Sequence, residues 1–528
     1  MTLRKGIRPI LRPEMIVERY SCPGYGRVDA PTHQAGVRVV GSEQLGVDVV
    51  VVGDGVLGRS IAYALATADG RPEVVLCGRT GPAASPAAGA MLGVLGEVTG
   101  ATLAKPHSVL RLEMAVEAAG RWPSWREGVR LWAAAAATDG DGYGTGTFML
   151  LNAVSARLDE KAFAAVRAAG DRYGLPVEDV EPGDVPGYRP LDNDRALRAL
   201  YLPDEGFLDA RRWLTTLDAA LNALPNVTRT GDGRLSATAA GYNLHSVEGV
   251  VTAPVAVVAA GAWTTQVLAA LDPGPHVMPV LSVAGTALTA SAPAPLPAVL
   301  RTPNRAYACG LHTVPQADGT WYVGASAAPA MTPGAAATAG GLRSLLDSAL
   351  GQLHHGLATS AVHRIHHGNR PIGLDGHPLL GPTTRPGLWV ATGTHREGLH
   401  TSPLIAQELA DAVLNARPSR WLAPWRPDRA PLTDWTAEEA TREAADHHHA
   451  LTAESRMRPP LTGSWPEALQ HAYQHRLSEV YAAMPAGYVL PPDLAPLGYE
   501  HREAIAAVAR SHLQRLPAQA TAAQRYQP

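Results

Sequence analysis

The strongest hydrophobic pattern in the chain begins at Val47. The almost uninterrupted apolar run VDVVVV predicts a strand buried on both faces of a parallel sheet. A glycine-rich turn at 53–58 follows at once, and the next segment, RSIAYALATA, places its apolar side chains on one face of a helix. A second short strand is predicted over 73–77. Strand, turn, helix and strand within about 30 residues form a βαβ unit.

Further along the chain, helical and strand patterns alternate. Helices are predicted at 159–173 and 211–224, separated by turns that include EPGDVPGY and LPDEGF. Alternating apolar and polar residues between 275 and 330 predict an antiparallel sheet. The segments VAVVAAGAW and GLWVATG predict two buried strands that return to the first sheet, and the second precedes a helix at 402–414.

These elements predict an α/β fold with a Rossmann-like, discontinuous nucleotide-binding domain and an antiparallel-sheet substrate domain. The nucleotide-binding segments are 47–144, 226–265 and 359–416, and the substrate-domain segments are 145–225 and 266–358. Residues 1–46 show no clear period and are interpreted as an N-terminal extension. Helical patches at 465–482 and 500–516 predict an added C-terminal helical region over 417–528.

Composition excludes several classes of function. The 528 residues are 46% hydrophobic and 18% charged, with a formal net charge of −3, so nothing favours nucleic acid or an anionic membrane as the main partner. Three cysteines, Cys22, Cys77 and Cys309, cannot form a disulfide framework. The N-terminus lacks the apolar core of a signal peptide, and no apolar run is long enough to span a bilayer. We therefore expect a cytoplasmic enzyme without a metal centre.

The turn GDGVLG lies between a predicted strand and a predicted helix, as the dinucleotide-binding fingerprint requires. Gly53 permits the tight turn, Gly55 lets the backbone approach a pyrophosphate, and Gly58 lets the helix pack closely on the strand. The free N–H groups at the start of the helix, beside Val56, favour phosphate binding. A bare tight turn is the alternative, and the motif does not choose between NAD and FAD.

The acidic residue that normally follows the second strand is missing. That place reads Leu76, Cys77, Gly78 and Arg79, so no carboxylate is available there for the ribose hydroxyls. Arg79 is either a ligand for a 2′-phosphate or a solvent-facing loop arginine.

Two further segments carry chemistry. The loop SPAAGAMLG at 85–93, followed by Glu97, is built of small residues that let the backbone lie against a flat ring; an alanine-rich linker is the alternative. A C-terminal block then contains HGNRP at 367–371, DGHPLLGP at 375–382, GLWVATG at 387–393 and REG at 396–398.

Taken in order, these motifs resemble the glycine oxidase and D-amino-acid oxidase family of FAD-dependent amine oxidases, and the glycine oxidase branch most of all. The resemblance covers about Val47 to Leu414, with VVAAGAW as a third anchor. It implies FAD as the cofactor and a discontinuous FAD-binding domain. The residues that it implies for FAD binding are Gly53, Gly55, Val56, Gly58, Arg79, Ser85, Ala88, Gly89, Met91, Ala260, Gly261, Gly393, Arg396, Glu397, Gly398 and Leu399.

The resemblance also implies a substrate site. Arg370 matches the arginine that binds the substrate carboxylate, although an ion pair with a carboxylate of the protein is the alternative. Arg396 matches a second arginine near the flavin. His312 stands where the family has a tyrosine that also binds the carboxylate. It is interpreted as a donor to that carboxylate, as a base that titrates near neutral pH, or as a core histidine.

We therefore expect an FAD-dependent oxidase of an amino acid or N-substituted glycine (a secondary amine). Hydride transfer to flavin would give an imine, oxidative C–N cleavage and hydrogen peroxide from molecular oxygen. The altered pocket and C-terminal region favour a substrate larger than glycine, in a specialised biosynthetic pathway, and a homo-oligomer is possible. The alternatives are a dehydrogenase with another electron acceptor and a redox-silent metabolite-binding relative. The run His447–His449 is interpreted as a solvated helix face, with a metal contact as the weaker alternative.

Overall fold

The structure, a computed structural model, describes residues 45–78, 81–133, 140–272, 274–305, 310–455 and 464–516. Most of the predicted N-terminal extension, together with Arg79 and Cys309, lies outside the described residues. Leu45 and Gly46, which were assigned to that extension, form a short strand instead, because they pair with Val251 and Thr252.

The described residues form twenty strands and ten α-helices. The strands are β1 (Leu45–Gly46), β2 (Val49–Val52), β3 (Val74–Cys77), β4 (Met91–Leu92), β5 (Gly144–Asn152), β6 (Glu178–Val180), β7 (Ala196–Phe207), β8 (Val227–Thr230), β9 (Gly233–Thr238), β10 (Gly241–Ser246), β11 (Gly249–Ala253), β12 (Val255–Val258), β13 (Val280–Ala290), β14 (Val299–Arg301), β15 (His312–Pro315), β16 (Trp321–Gly324), β17 (Ala328–Ala330), β18 (Val362–Gly373), β19 (Leu379–Pro382) and β20 (Leu388–Thr392). The helices are α1 (Val56–Thr67), α2 (Pro106–Ala133), α3 (Arg157–Tyr173), α4 (Ala210–Ala223), α5 (Thr264–Ala269), α6 (Ala339–Gln352), α7 (Ser402–Asn415), α8 (Ala437–Glu454), α9 (Trp465–Ala482) and α10 (Ala495–Gln514).

The predicted βαβ unit lies at the centre of a six-stranded sheet with the order β19-β20-β12-β2-β3-β8. β20, β12, β2, β3 and β8 run parallel, and β19 is antiparallel to β20. All four residues of β2 are buried. Because both faces of a parallel sheet are covered, a continuous valine run is the sequence that suits this position.

The two faces of the six-stranded sheet are covered differently. On one face, residues of α1, α2, α4 and α7 share a core with alternate residues of β2 and β3. On the other face, the four-stranded sheet β1-β11-β10-β9 and the C-terminal helices α8, α9 and α10 share a second core. The C-terminal helices, predicted as an added helical region, therefore share a hydrophobic core with the six-stranded sheet.

A ten-stranded mixed sheet forms the second layer. Its main path is β17-β13-β16-β15-β14-β5-β7-β4, with β18 paired to β13 and β6 paired to β7. The strands between 280 and 330 confirm the predicted antiparallel sheet. The segment LPDEGF was predicted as a turn and lies instead in β7. Its proline is accommodated because the pairing with β5 shifts register between Leu202 and Gly206.

Two strands that fall in the segments predicted for FAD binding belong to the ten-stranded sheet. β4 pairs with the end of β7, and β18 is hydrogen bonded to β13 from Val362 to Gly373. Such a long ladder fixes the position of β18 relative to β13, including Arg370 opposite Val283. The predicted domain boundaries themselves stay a prediction.

The C-terminal region is held to the rest of the chain by polar contacts, of which those of Arg429 and Tyr488 are buried. Arg429 Nη2 lies 2.8 Å from an oxygen of Asp375, and both side chains are almost fully buried. Tyr488 donates a 2.8 Å hydrogen bond to the carbonyl oxygen of Leu374. Lys105 pairs with Glu439 at 2.9 Å. None of the helices among the described residues is long and apolar enough to cross a membrane.

Candidate active site

The turn between β2 and α1 opens one end of a large cavity, here called the main cavity, which is lined among others by Gly53, Ala88, Gly261, Tyr322, Arg370 and Arg396. Gly53 has φ +127°, and a Cβ there would come 2.8 Å from the backbone nitrogen of Ala260. A Cβ on Gly58 would overlap the carbonyl oxygen of Gly53. Both glycines are therefore required by the backbone, as the fingerprint predicts.

The start of α1 is directed at this cavity. Gly55 caps the helix and offers no side chain, and the Val56 N–H donates a 2.9 Å hydrogen bond to Ser85 Oγ. Ser85 thereby joins the small-residue loop to the glycine turn. Unpaired N–H groups and the positive end of a helix dipole attract a phosphate group.

The small-residue loop is held against the ten-stranded sheet from two sides. Tyr322 donates a 2.8 Å hydrogen bond to the carbonyl oxygen of Ala87, and the Asn369 amide donates at 3.0 Å to the carbonyl oxygen of Pro82. A Cβ on Gly89 would lie 2.9 Å from the Tyr322 ring. The loop therefore passes close to the sheet, and its backbone forms one wall of the main cavity.

Arg370 lies in the main cavity, half-buried, near the end of β18. Its Nη1 donates a 3.1 Å hydrogen bond to the carbonyl oxygen of Ser326. A Cβ on Gly285 would come 2.5 Å from Arg370 Nη2, so this glycine leaves room for the guanidinium. Among the described residues no carboxylate lies within ion-pair distance of Arg370. The structure therefore does not support the alternative of an internal ion pair.

Arg396 lines both the main cavity and a second one. This side cavity is lined among others by Glu97, Arg111, Asp375, Arg396, Glu443 and Asp493. Arg396 Nε lies 3.6 Å from Glu97, whose carboxylate also accepts from Arg301 Nη1 at 3.2 Å and from Asn304 at 2.6 Å. Burial opposes ionisation of Glu97, but Arg301 and Arg396 outweigh it and lower its pKa to about 2.

The side cavity depends on the C-terminal region for its outer wall. Asp434, Trp435, Glu443, Pro491 and Asp493 all come from that region. Burial, together with the nearby Asp446, raises the pKa of Glu443 to about 7. Burial also raises the pKa of Asp493. Ionisable groups from the segments predicted for FAD binding and from the C-terminal region thus lie around this cavity.

His312 does not line the main cavity. It is buried behind Tyr322, with the two rings stacked at a centroid distance of 5.9 Å. Its Nδ1–H donates a 2.7 Å hydrogen bond to the carbonyl oxygen of Gly310, which leaves Nε2 as an acceptor. Burial lowers the pKa of His312 to about 4, so the interpretation as a base that titrates near neutral pH is wrong. The ring is buried and hydrogen bonded, as a core histidine would be. Its interpretation as a donor to the substrate carboxylate stays a prediction.

The remaining predicted residues divide into three groups. Gly55, Val56, Ser85, Ala260, Gly398 and Leu399 line the main cavity. Gly393 has φ +74° at a turn behind it, and Met91 packs beside Arg301. Glu397 is directed to the side cavity and pairs with Arg111 at 2.9 Å. The sequence did not indicate Tyr322 as a site residue, although its strand WYVG was predicted. Its hydroxyl donates the hydrogen bond to the small-residue loop.

The histidine-rich segment differs from its interpretation as a solvated face. His447 is fully buried in α8, and His448 Nδ1–H donates to the carbonyl oxygen of Ala444 at 2.8 Å. A different group, His107, His377 and Asp434, places potential metal-ligating atoms within 4.8 Å of one another among the described residues. His107 Nδ1 lies 2.6 Å from Asp434, and this pair joins α2 to the C-terminal region.

A model of the FAD dependent oxidoreductase family matches residues 48–412, which is more than half of the chain. The chain belongs to the FAD-dependent oxidoreductase family. FAD is its cofactor, and the predicted resemblance and α/β fold are confirmed. The glycine turn, the start of α1 and the small-residue loop give this oxidoreductase a continuous backbone cradle that fits a dinucleotide and a flat ring.

Two of its similar relatives are glycine oxidases. The glycine oxidase of Pseudomonas putida is 29% identical over 401 residues, 72% of this chain and 98% of the relative. That of Geobacillus kaustophilus is 29% identical over 386 residues, 72% of this chain and 96% of the relative. The crystal structure of the Geobacillus kaustophilus glycine oxidase, 24% identical in the structural superposition, has a TM-score of 0.61 and covers 73% of this chain and 99% of its own. Iminodiacetate oxidase from Chelativorans sp. BNC1 has the same fold, at a TM-score of 0.58, 21% identity and coverage of 72% of this chain and 98% of its own.

Proposed function

We propose that this flavin-dependent amino-acid or secondary-amine oxidase acts on an N-substituted glycine. The substrate, oxygen and water would be converted to a carbonyl acid, the released amine and hydrogen peroxide. The C–N bond is cleaved after two electrons leave the substrate, and oxygen takes them up. The observation that carries the proposal is Arg370, a guanidinium in the main cavity that has no carboxylate partner among the described residues.

Arg370 suits a substrate carboxylate because its guanidinium offers N–H donors in a planar fork, and the bond to Ser326 uses only Nη1. The ladder between β18 and β13 fixes its backbone, so the bound carboxylate has one position relative to the small-residue loop. FAD, when bound, accepts the hydride from the carbon next to the amine nitrogen. Positioning of that carbon is the contribution expected of Arg370.

The charge around the reacting position favours the neutral amine. Arg370, Arg396 and His395 all line the main cavity. Burial, reinforced by Arg396 and Arg370, lowers the pKa of His395 well below its usual range, so its ring is neutral. Two guanidinium groups disfavour a third positive charge nearby, which lowers the pKa of a bound ammonium group. The lone pair of the neutral amine is needed for its oxidation.

The side cavity supports an N-substituent larger than a hydrogen atom. Arg396 lines both cavities, and ionisable groups such as Arg111, Glu443 and Asp493 line the side cavity. A polar substituent on the amine is the part of the substrate that we place there. The relatives that are named glycine oxidase and iminodiacetate oxidase support the substrate class. A specialised biosynthetic pathway, a cytoplasmic location and a homo-oligomer stay predictions.

The test is to measure hydrogen peroxide and oxygen uptake with FAD-loaded protein and a series of glycines that carry increasingly large polar N-substituents. We expect one peroxide per amine released and a kcat/KM that rises above that of glycine. Amine release with an artificial electron acceptor but without peroxide would make the protein a dehydrogenase. FAD binding without turnover of any member of the series would favour the redox-silent alternative.

A further inference from the structure

The adenosine end of the main cavity lacks the side chain that usually holds a ribose. In dinucleotide-binding folds an acidic residue at the end of the second strand accepts hydrogen bonds from the ribose hydroxyls. Here β3 ends at Cys77 and is followed by Gly78, and both residues line the main cavity. The cofactor is nevertheless FAD, so its ribose needs another acceptor.

Asp54 occupies the space that a side chain at position 78 would take. A Cβ on Gly78 would lie 2.9 Å from Asp54 Cβ and 3.0 Å from Asp54 Oδ2. Asp54 is the second residue of the glycine turn and lines the same end of the cavity. A longer side chain at position 78 and Asp54 therefore exclude each other sterically.

Two arginines hold the Asp54 carboxylate in place. Arg59 Nε and Nη2 donate to its two oxygens at 2.8 and 3.1 Å, and Arg229 Nη2 lies 3.2 Å from both. Arg229 Nη1 also pairs with Asp218 at 2.7 Å. The contacts of the two arginines with Asp54 are four hydrogen bonds, two to each carboxylate oxygen. The Asp54 side chain nevertheless stays 23% exposed and lines the main cavity, so a ribose hydroxyl can approach it from there.

We infer that Asp54 accepts the hydrogen bonds of the adenosine ribose of FAD, in place of an acidic residue at position 78. The inference rests on FAD as the cofactor and is independent of the substrate proposed above. Arg59 and Arg229 are positioning residues in this arrangement, because they fix the carboxylate without lining the cavity themselves.

The test is the dissociation constant of FAD for the apoprotein, measured from the quenching of flavin fluorescence. Asp54→Gly should weaken FAD binding by about 10- to 100-fold, the loss expected for a hydrogen bond to a charged group. Asp54→Ala should weaken it similarly, which separates the lost carboxylate from added backbone flexibility. ADP, which carries the same ribose, should lose affinity by the same factor.

Two further variants make the result specific. Asp218→Ala removes the other carboxylate of the arginine network but does not touch the cavity, so FAD affinity should stay within about threefold of the wild type. The double change Asp54→Gly with Gly78→Asp returns a carboxylate to the same space. It should bind FAD at least about tenfold more tightly than Asp54→Gly alone. Unchanged affinity in Asp54→Gly, an equal loss in Asp218→Ala, or no recovery in the double variant would each overturn the assignment. Circular dichroism of each apoprotein confirms that it is folded.

Discussion

The main cavity and the side cavity differ in how they are built. The main cavity is lined in large part by glycines and alanines, and Gly53, in a turn, and Gly285, in β13, allow close approach. The side cavity is formed by charged side chains from separated parts of the chain, and Glu443 and Asp493 come from the C-terminal region. A backbone cradle suits a cofactor that every member of a family shares, whereas a wall of side chains can change with the substrate.

The first prediction concerns the buried ion pair that holds the C-terminal region, and with it part of the wall of the side cavity, in place. Asp375→Asn leaves the buried Arg429 without its charge partner, and losing one member of a buried pair costs about 3–5 kcal/mol. The free energy of unfolding in urea should fall by that amount. Asp428→Asn, in the more exposed pair with Arg426, is the matched control and should cost less than about 1 kcal/mol. Equal losses in the two variants would show that Asp375 does not anchor the C-terminal region.

The second prediction concerns Arg370, the residue of the main cavity that we propose binds the substrate carboxylate. Arg370→Ala should raise KM for an anionic substrate by about two orders of magnitude or more, because a charge-assisted bidentate contact is lost. Steady-state oxygen uptake measures this change. Arg364→Ala, at an exposed position of the same strand, should leave KM unchanged. An unaltered KM in Arg370→Ala would remove the carboxylate role.

The third prediction sharpens the comparison by filling the side cavity. Ala101 lines it, and Ala101→Trp should lower kcat/KM about tenfold for glycines with large N-substituents, a loss of about 1.4 kcal/mol. Values for glycine itself should not change, since glycine needs only the main cavity. Ala101→Ser keeps the cavity open and serves as the control. If both substrates lose activity equally, the side cavity does not hold the substituent.

The fourth prediction concerns the buried ring behind the main cavity. His312 has a pKa of about 4 in the folded protein against about 6.5 when unfolded, so the unfolded state binds more protons between these values. Stability from this group is therefore fully present above pH 6.5 and is lost as pH falls towards 4. The free energy of unfolding of the wild type should fall as the pH is lowered from 7 to 5.5. In His312→Asn this fall should be smaller by about 1 kcal/mol. An unchanged pH dependence would contradict the burial argument, and a large rise in KM at pH 7 would restore a substrate role.

The contrast between the cavities also explains what the sequence could predict. β2, the glycine turn and α1 depend on neighbouring residues, so their pattern predicts them well. β7 was missed because its Pro203 is tolerated only through the register shift against β5, a contact that is distant in sequence. The antiparallel strands and α9 were predicted because the residues that form each of them are neighbours in the chain.

The residues of the candidate active site divide in the same way, into those that a local motif predicts and those that only the folded chain brings together. Arg370 was predicted from a motif that is continuous in sequence, and it lies in the main cavity. Tyr322 gains its position only when strands far apart in the chain pair. Asp54 lies in the predicted glycine turn, but its contacts with Arg229 and with the space at Gly78 involve other parts of the chain, and no local pattern shows them. The side cavity joins Arg111, Asp375 and Asp493, which are separated by more than a hundred residues, and sequence spacing carries no information about such a meeting.

The most direct test of the central claim is anaerobic mixing of the FAD-loaded protein with an N-substituted glycine while the oxidised flavin absorption band is followed. The account predicts that the wild type bleaches the band, and that Arg370→Ala needs about a hundredfold more substrate to reach the same rate. Half-saturation by the same substrate concentration in both proteins, or a band that no N-substituted glycine bleaches, would contradict it.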